Sequence, residues 1–333
     1  MSGYTPHTEA EITEMLGFLG LSSLDDLFAS VPQALRLAAG TDLVDGVSEP
    51  DAMAHLNELA DANRSVVGDL VCFAGGGAYD HEVPAVTRSL ASRSEFVTSY
   101  TPYQPEVAQG VLQALFEFQT LVARLAGVDV ANASLYDGAA SLVEGVNLGV
   151  AASDRETVWV SAGVNPSWRE VLATFAAGTG HDIVEVGLAD GTTDWDSLPY
   201  SSAEGSTSGA TGVEPPGVVV VGYPNYLGCL EDVARARTVC NRTGALLVVA
   251  FDPICAGVLR SPGEWGADVV VGEGQALGMP LGFGGPYLGL FACKSDHVRR
   301  LPGRLVGQTV DADSRRAYVT TLGAREQDIR REK

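Results

Sequence analysis

Lysine is nearly missing from this chain. Lys294 and Lys333 stand alone among 21 basic residues, and the others are arginine. Chemistry that needs a side-chain amine therefore has two candidates in 333 residues. Positive charge as a whole is scarce: 42 acidic residues bring the formal net charge to -21 at pH 7. That balance excludes a nucleic-acid or anionic-membrane partner, because phosphate contacts need clustered Lys and Arg. No acidic run dominates, so the charge is spread over a surface and not gathered in a tail. Two readings fit this composition. A carboxylate-rich surface stays hydrated in concentrated salt, as in a halophile, where screening removes self-repulsion. A GC-rich genome that favours arginine codons gives the same count.

Other absences narrow the chemistry further. The five histidines, His7, His55, His81, His181 and His297, pair with no His or Cys at ligand spacing, which argues against a metal site. No G-x-S-x-G marks a serine nucleophile. Cys72, Cys229, Cys240, Cys255 and Cys293 are odd in number and form no C-x-x-C. Most lie in apolar runs, so they read as buried free thiols in a reducing cytosol. The start of the chain is polar and unlike a signal peptide. No apolar stretch reaches membrane-spanning length, and the expected location is cytoplasmic.

What is present is a chain rich enough in apolar residues, at 46%, to bury a substantial core. Residues 1–65 read as a helical arm. Thr8-Glu9-Ala10-Glu11 is a capping box ahead of Ile12, Met15, Leu16 and Leu19. Ser48-Glu49-Pro50-Asp51 opens a second helix, with Pro in its first turn. Residues 66–333 read as one large domain. Phe73 to Asp80 is a glycine-rich turn with no following Lys-Ser/Thr, so a phosphate loop is not indicated. Pro105 is expected to start a helix carrying Val111, Leu115, Phe118, Val122 and Leu125, which Gly127 ends. Asp137 is expected to cap the next helix, and Asn165-Pro166 to open another. Val158–Val160, Ile183–Val186, Val218–Val221, Leu246–Phe251, Val269–Val271 and Leu288–Cys293 read as strands, with a helix over Glu231–Arg242 and a loop over residues 200–217. Apolar β-branched runs separated by helices indicate an α/β domain with a mostly parallel sheet covered on both faces. Sites in such sheets lie at the carboxyl ends of the strands.

Two cofactor chemistries deserve weighing on the residues alone. Gly272-Glu273-Gly274-Gln275-Ala276-Leu277-Gly278 imitates a dinucleotide fingerprint, but Pro280 prevents the helix that would hold a pyrophosphate. An Asp at a strand end followed by a later loop is also how pyridoxal phosphate (PLP) enzymes are built. Asp252 fits the Asp role, or simply starts a turn before Pro253. The loop from Gly272 to Gly285 should carry the Schiff-base lysine and has none. Lys294 follows a different strand and reads as a surface helix start. Arginine stays protonated and forms no imine.

Longer motifs now become recognisable. They include Asp80-His81-Glu82-Val83-Pro84, Tyr100-Thr101-Pro102-Tyr103-Gln104-Pro105-Glu106 and Asn132-Ala133-Ser134-Leu135-Tyr136-Asp137-Gly138. Pro262-Gly263-Glu264-Trp265-Gly266-Ala267-Asp268, Gly284-Gly285-Pro286-Tyr287, Pro302-Gly303-Arg304 and Arg325-Glu326-Gln327 continue the series. Together they resemble the alpha, N-terminal subunit of the P-protein of the glycine cleavage system, glycine dehydrogenase (aminomethyl-transferring, decarboxylating). The resemblance covers nearly the whole chain.

The resemblance implies the large domain of the PLP-dependent transferase fold type I, with an N-terminal helical arm. Family alpha subunits run on into a C-terminal small domain. That domain is expected to begin near residues 305–333 and to be cut short here. The family's beta subunit carries PLP on a lysine before a glycine-rich turn. Aligning that turn with Gly282 to Pro286 places Gln275 at the lysine, so no cofactor and no catalytic residue is expected on this chain, and Asp252 would be vestigial. The implied partners are a PLP-bearing beta subunit, in an α2β2 heterotetramer, the lipoylated H-protein, and glycine. The assembled enzyme would join glycine to PLP as a Schiff base, release carbon dioxide, and pass the aminomethyl group to the lipoyl arm. This chain would be inactive alone. Tyr100, Thr101, Tyr103 and Gln104 are expected at the interface or substrate channel, or else in ordinary loop packing. Ser134, Tyr136 and Asp137 either join them or cap a helix. Two alternatives stand beside this reading: an autonomous PLP enzyme of the same fold, and an inactive truncated scaffold.

Overall fold

The computed structural model describes residues 6–37, 43–66, 68–73, 75–97, 102, 104–198, 214–282, 284, 285 and 287–321. The chain divides into two compact units, Met1–Phe73 and Ala74–Lys333.

The first unit is helical. Helix α1, Glu9–Leu19, starts on the expected capping box, in which Thr8 Oγ1 accepts from Glu11 N and Glu11 accepts in return from Thr8 N. Two more N–H groups that the helix cannot satisfy thereby find partners. Gly20 then ends the helix in the left-handed region. Helix α2, Glu49–Asp61, starts on Ser48 with Pro50 in its first turn. Neither helix buries a residue.

The second unit carries a seven-stranded sheet. In chain order its elements are α3 Ala85–Ala91, α4 Gln109–Ala126, β1 Val130–Ala131, α5 Gly138–Ser153, β2 Thr157–Ser161, α6 Pro166–Thr179 and β3 Asp182–Val186. Next come β4 Val218–Tyr223, α7 Val233–Thr243, β5 Leu246–Phe251, β6 Val269–Glu273 and β7 Gly289–Cys293. The strand order is β1-β7-β6-β5-β4-β2-β3. Strand β7 runs antiparallel to both neighbours, while the pairs β2–β3, β2–β4, β4–β5 and β5–β6 are parallel. A hairpin of β8 Leu305–Val310 and β9 Arg316–Thr321 follows.

The valine runs fold this way because both faces of the sheet are covered. All six residues of β4 are buried. On one face Trp159, Val219, Val221, Leu247, Val249 and Val270 pack with Val122 and Ala126 of α4 and with Val233, Ala236 and Val239 of α7. On the other, Val158, Val160, Val218, Val220, Val248 and Val271 pack with Leu142, Val143 and Val146 of α5 and with Leu172 of α6. Each buried valine or leucine among them stabilises the fold by about 1.5–3 kcal/mol. Helix α5 lies close on the sheet: a Cβ at Gly149 would stand 2.5 Å from Val218 Cγ2.

Several expectations need correction. Helix α4 begins at Gln109 and not at Pro105. Residues 104–108 form separate turns, and Gln109 Nε2 reaches back to Pro105 O at 2.7 Å, closing off that stretch. Of the thiols, only Cys240 and Cys293 are buried; Cys229 and Cys255 are half-buried and Cys72 is exposed, all of them free. An apolar neighbourhood in sequence did not ensure burial at loop positions. Lys294 is not a simple surface residue, because its Nζ lies 2.6 Å from Asp268 Oδ1. Most of the loop expected over residues 200–217 falls outside the described residues. Among the described residues no helix is long and apolar enough to cross a membrane.

Candidate functional site

Four parallel strands end side by side, at Ser161, Tyr223, Phe251 and Glu273. A cavity of about 340 Å3 opens beyond them. Each strand feeds it a short loop. Asn165 and Trp168 come from the start of α6, Asn225 and Tyr226 follow β4, Asp252 follows β5, and Gln275 follows β6. Tyr79 and His81 reach in from the glycine-rich turn before α3. That turn needs its glycines: Gly77 has φ +99, and a Cβ there would stand 2.6 Å from Asn165 Nδ2. Among the described residues no lysine or arginine lines the cavity.

The wall beside β2 and β4 is a buried polar network. Glu231 is 5% exposed, and its carboxylate accepts from Thr193 N and from Asn225 Nδ2, each at 2.9 Å. Asn225 Oδ1 accepts from the N–H groups of Leu227 and Cys229 at 3.0 Å. The Ser161 and Thr193 hydroxyls meet at 2.7 Å. Every member is satisfied, which fixes the loop after β4 in one arrangement.

Glu273 forms the opposite wall. Its Oε1 accepts from Gln275 N and Leu288 N, and its Oε2 accepts from Gly138 N, all at 2.9 Å. One carboxylate thus joins the end of β6, the start of β7 and the first turn of α5. Burial pushes the Glu273 carboxyl above the ordinary glutamate value, and the three N–H groups offset this only in part; the nearby negative charge of Asp137 adds to the rise.

The residues singled out in the sequence fall as follows. Gln275 is 4% exposed at the cavity, with Nε2 donating to Met279 O at 2.5 Å. Its carboxamide nitrogen has no free electron pair for attack on a carbonyl. Asp252 also lines the cavity, and its Oδ1 accepts from Ile254 N at 2.9 Å, capping the following turn. Asp137 Oδ1 accepts from Ala140 N at 2.7 Å and is the N-cap of α5. Ser134 adopts φ 87 with its N–H on Asn132 Oδ1, and Tyr136 is 88% exposed. Gln104 is exposed, while Tyr100, Thr101 and Tyr103 lie outside the described residues. The core thiols are poor nucleophiles: burial pushes Cys240 and Cys293 up to about 12. Among the described residues no three His, Cys, Asp or Glu side chains converge on a point.

Sequence reasoning missed Glu273, Trp168, Asn225 and Glu231. Only Glu273 left a signal, as an acid closing an apolar strand. The partners that give it meaning stand at positions 138, 275 and 288.

Lys294 stands at the other end of the sheet. Cys293 pairs with Val269, the first residue of β6, whereas the cavity lies beyond Glu273, the last. Four residue steps of strand separate those ends, about 13 Å at about 3.3 Å per residue. The ammonium is held there between Asp268 and Gly266 O.

Residues 2–333 match the family described as the glycine cleavage system P-protein. A probable glycine dehydrogenase (decarboxylating) subunit 1 of Desulforamulus reducens is 45% identical over 330 residues, which is 99% of this chain and 72% of that one. Its counterpart of the same name in Moorella thermoacetica is 47% identical, over 99% of this chain and 71% of that one. Among solved structures, a glycine decarboxylase (P-protein) of the glycine cleavage system, in inhibitor-bound form, is 48% identical. It aligns with a TM-score of 0.85 over 98% of this chain and 71% of that one. A sphingosine-1-phosphate lyase of Burkholderia pseudomallei, 12% identical with a TM-score of 0.54 over 88% of this chain and 68% of that one, shares the fold alone. The fold is that of the PLP-dependent fold type I enzymes. The chain belongs to the glycine cleavage system P-protein family.

Proposed function

We infer that this chain is subunit 1 of glycine dehydrogenase (decarboxylating) and works with a second subunit. The assembled enzyme decarboxylates glycine and transfers the aminomethyl group to the lipoyl arm of H-protein. The second subunit is a beta chain that carries PLP, joined with this one as an α2β2 heterotetramer in the cytoplasm. PLP supplies the electron sink for the carbanion left by decarboxylation.

The residues of this chain do not fit that cofactor. Gln275, buried after β6, is the observation that supports the reading, since it offers a carboxamide where the architecture calls for an amine. The amine of Lys294 is engaged by Asp268 at the far end of the sheet. The work of this chain is therefore to complete the enzyme by its surface. Ser134, Tyr136 and Gln104, on or near the exposed loops before α4 and α5, are proposed to serve the interface or the substrate channel, together with Tyr100, Thr101 and Tyr103.

The test is reconstitution. Glycine decarboxylation, followed as exchange of labelled bicarbonate into glycine, is expected only when both chains and lipoylated H-protein are present. Light scattering should give the mass of two copies of each chain. Absorbance near the PLP band on this chain alone, trapped by borohydride on a lysine, would overturn the reading.

A further inference from the structure

We propose that the side chain of Glu273 stands where a ligand phosphate would sit at the start of α5, so that the cavity refuses a phosphorylated cofactor even without a covalent bond. The inference rests on the subunit reading above and supplies a physical cause for it.

A phosphate monoester carries close to two negative charges and needs several donors, with a cation or a helix N-terminus to offset the charge. Helix α5 begins beside Glu273 and Trp168, which line the cavity, and two of the donors in its first turn are already engaged. Gly138 N gives its proton to Glu273 Oε2 and Ala140 N gives its proton to Asp137 Oδ1. The N–H groups of Gln275 and Leu288 converge from two further segments, and both end on Glu273 Oε1. These three segments meet around a single carboxylate that arrives from inside the chain.

Charge and space point the same way. Among the described residues the cavity lining holds Glu273 and Asp252 and no lysine or arginine, so an incoming dianion meets like charge with only His81 to offset it. Trp168 crowds the same turn: a Cβ at Gly138 would stand 2.2 Å from Trp168 Cζ2. An ordinary structural strut would also explain the hydrogen bonds. The two accounts part on what happens when the carboxylate is removed, because only a phosphate seat leaves behind donors selective for phosphate.

The experiment compares the wild-type chain with E273A, and with E273S should E273A not fold. Inorganic phosphate is titrated at constant ionic strength, with chloride as the control, and read by 31P line broadening and by melting temperature. A ligand that binds only the native state raises the melting temperature. The expected result is no phosphate-specific shift in the wild type. The variant should melt earlier, recover part of the loss with phosphate, and bind it at least tenfold more tightly than the wild type. Phosphate binding by the wild type equal to that of the variant overturns the proposal, as does a folded variant that responds to phosphate no more than to chloride. Activity of the reconstituted enzyme is scored separately. A failed phosphate arm with activity intact therefore sinks this inference alone, whereas a borohydride-trapped adduct on the wild-type chain sinks the subunit reading.

Discussion

Gln119 of helix α4 and Val306 of strand β8 exchange two hydrogen bonds. Gln119 Nε2 donates to Val306 O at 3.0 Å, and Val306 N donates to Gln119 Oε1 at 2.9 Å. Ten residues earlier, Gln109 makes the same paired contact with Tyr318 of β9, at 2.9 Å in both directions. Two glutamine amides thus extend the ladder of the hairpin onto the helix. Leu112, Val306 and Tyr318 form a small apolar cluster between them.

Gln119 is 6% exposed, so its loss leaves a buried N–H and C=O of Val306 without partners. Each unmet backbone group costs about 1–3 kcal/mol. Q119L is therefore expected to destabilise the chain by about 2–4 kcal/mol. The cost should show as a lower urea midpoint, and an unchanged midpoint would mean that the hairpin is not held by this residue.

Asp268 carries a pH dependence. Burial alone would push its carboxyl up, but the Leu247 N–H, Lys294 and Arg237 together hold it below the ordinary value of 3.8. The folded state then binds a proton less readily than the unfolded chain. The stability this group contributes is present above the ordinary value and is lost as pH falls through the lowered one. D268N should destabilise the chain by about 1–3 kcal/mol at neutral pH. The gap between wild type and variant should close as pH falls below 3.8. A gap that stays constant in urea melts carried well below that pH would refute the assignment.

The cap of α5 can be separated from any role at an interface. D137A removes the acceptor for Ala140 N, at an expected cost of about 1 kcal/mol, whereas D137S should recover most of it. Assembly with the second subunit, followed by light scattering, should recover in parallel if the residue acts through the helix. Loss of assembly in D137S with stability restored would assign it to the interface instead.

Salt distinguishes the two readings of the acidic composition. With a net charge of -21, self-repulsion should weaken as the screening length shrinks. That length falls from about 10 Å at about 0.1 M salt to about 3 Å at about 1 M. The melting temperature is expected to rise over this range in potassium chloride. A flat response would leave the arginine content as a matter of codon usage.

Much of the sheet was legible because a strand buried on both faces must be apolar throughout. Val218–Val221 and Leu246–Phe251 announce themselves in this way, and Asp137 and Thr8 announce the helices they cap. Strand β1 was not legible, since two residues paired on a single antiparallel neighbour leave no periodicity to read. The β8–β9 hairpin was missed for a related reason: it depends on Gln109 and Gln119, about 200 residues away in the chain, for its outer bonds. At the site, the missing amine could be counted from the sequence. The cradle around Glu273 could not, because its donors come from three separated segments.

The reversal of β7 has a practical consequence. A strand that runs against its neighbours delivers whatever follows it to the opposite end of the sheet, and here that cargo is Lys294. Immobilisation through this amine would grip the protein by its underside and leave the mouth turned outward. A surface-bound array built on that attachment would still present the cavity to molecules passing in solution.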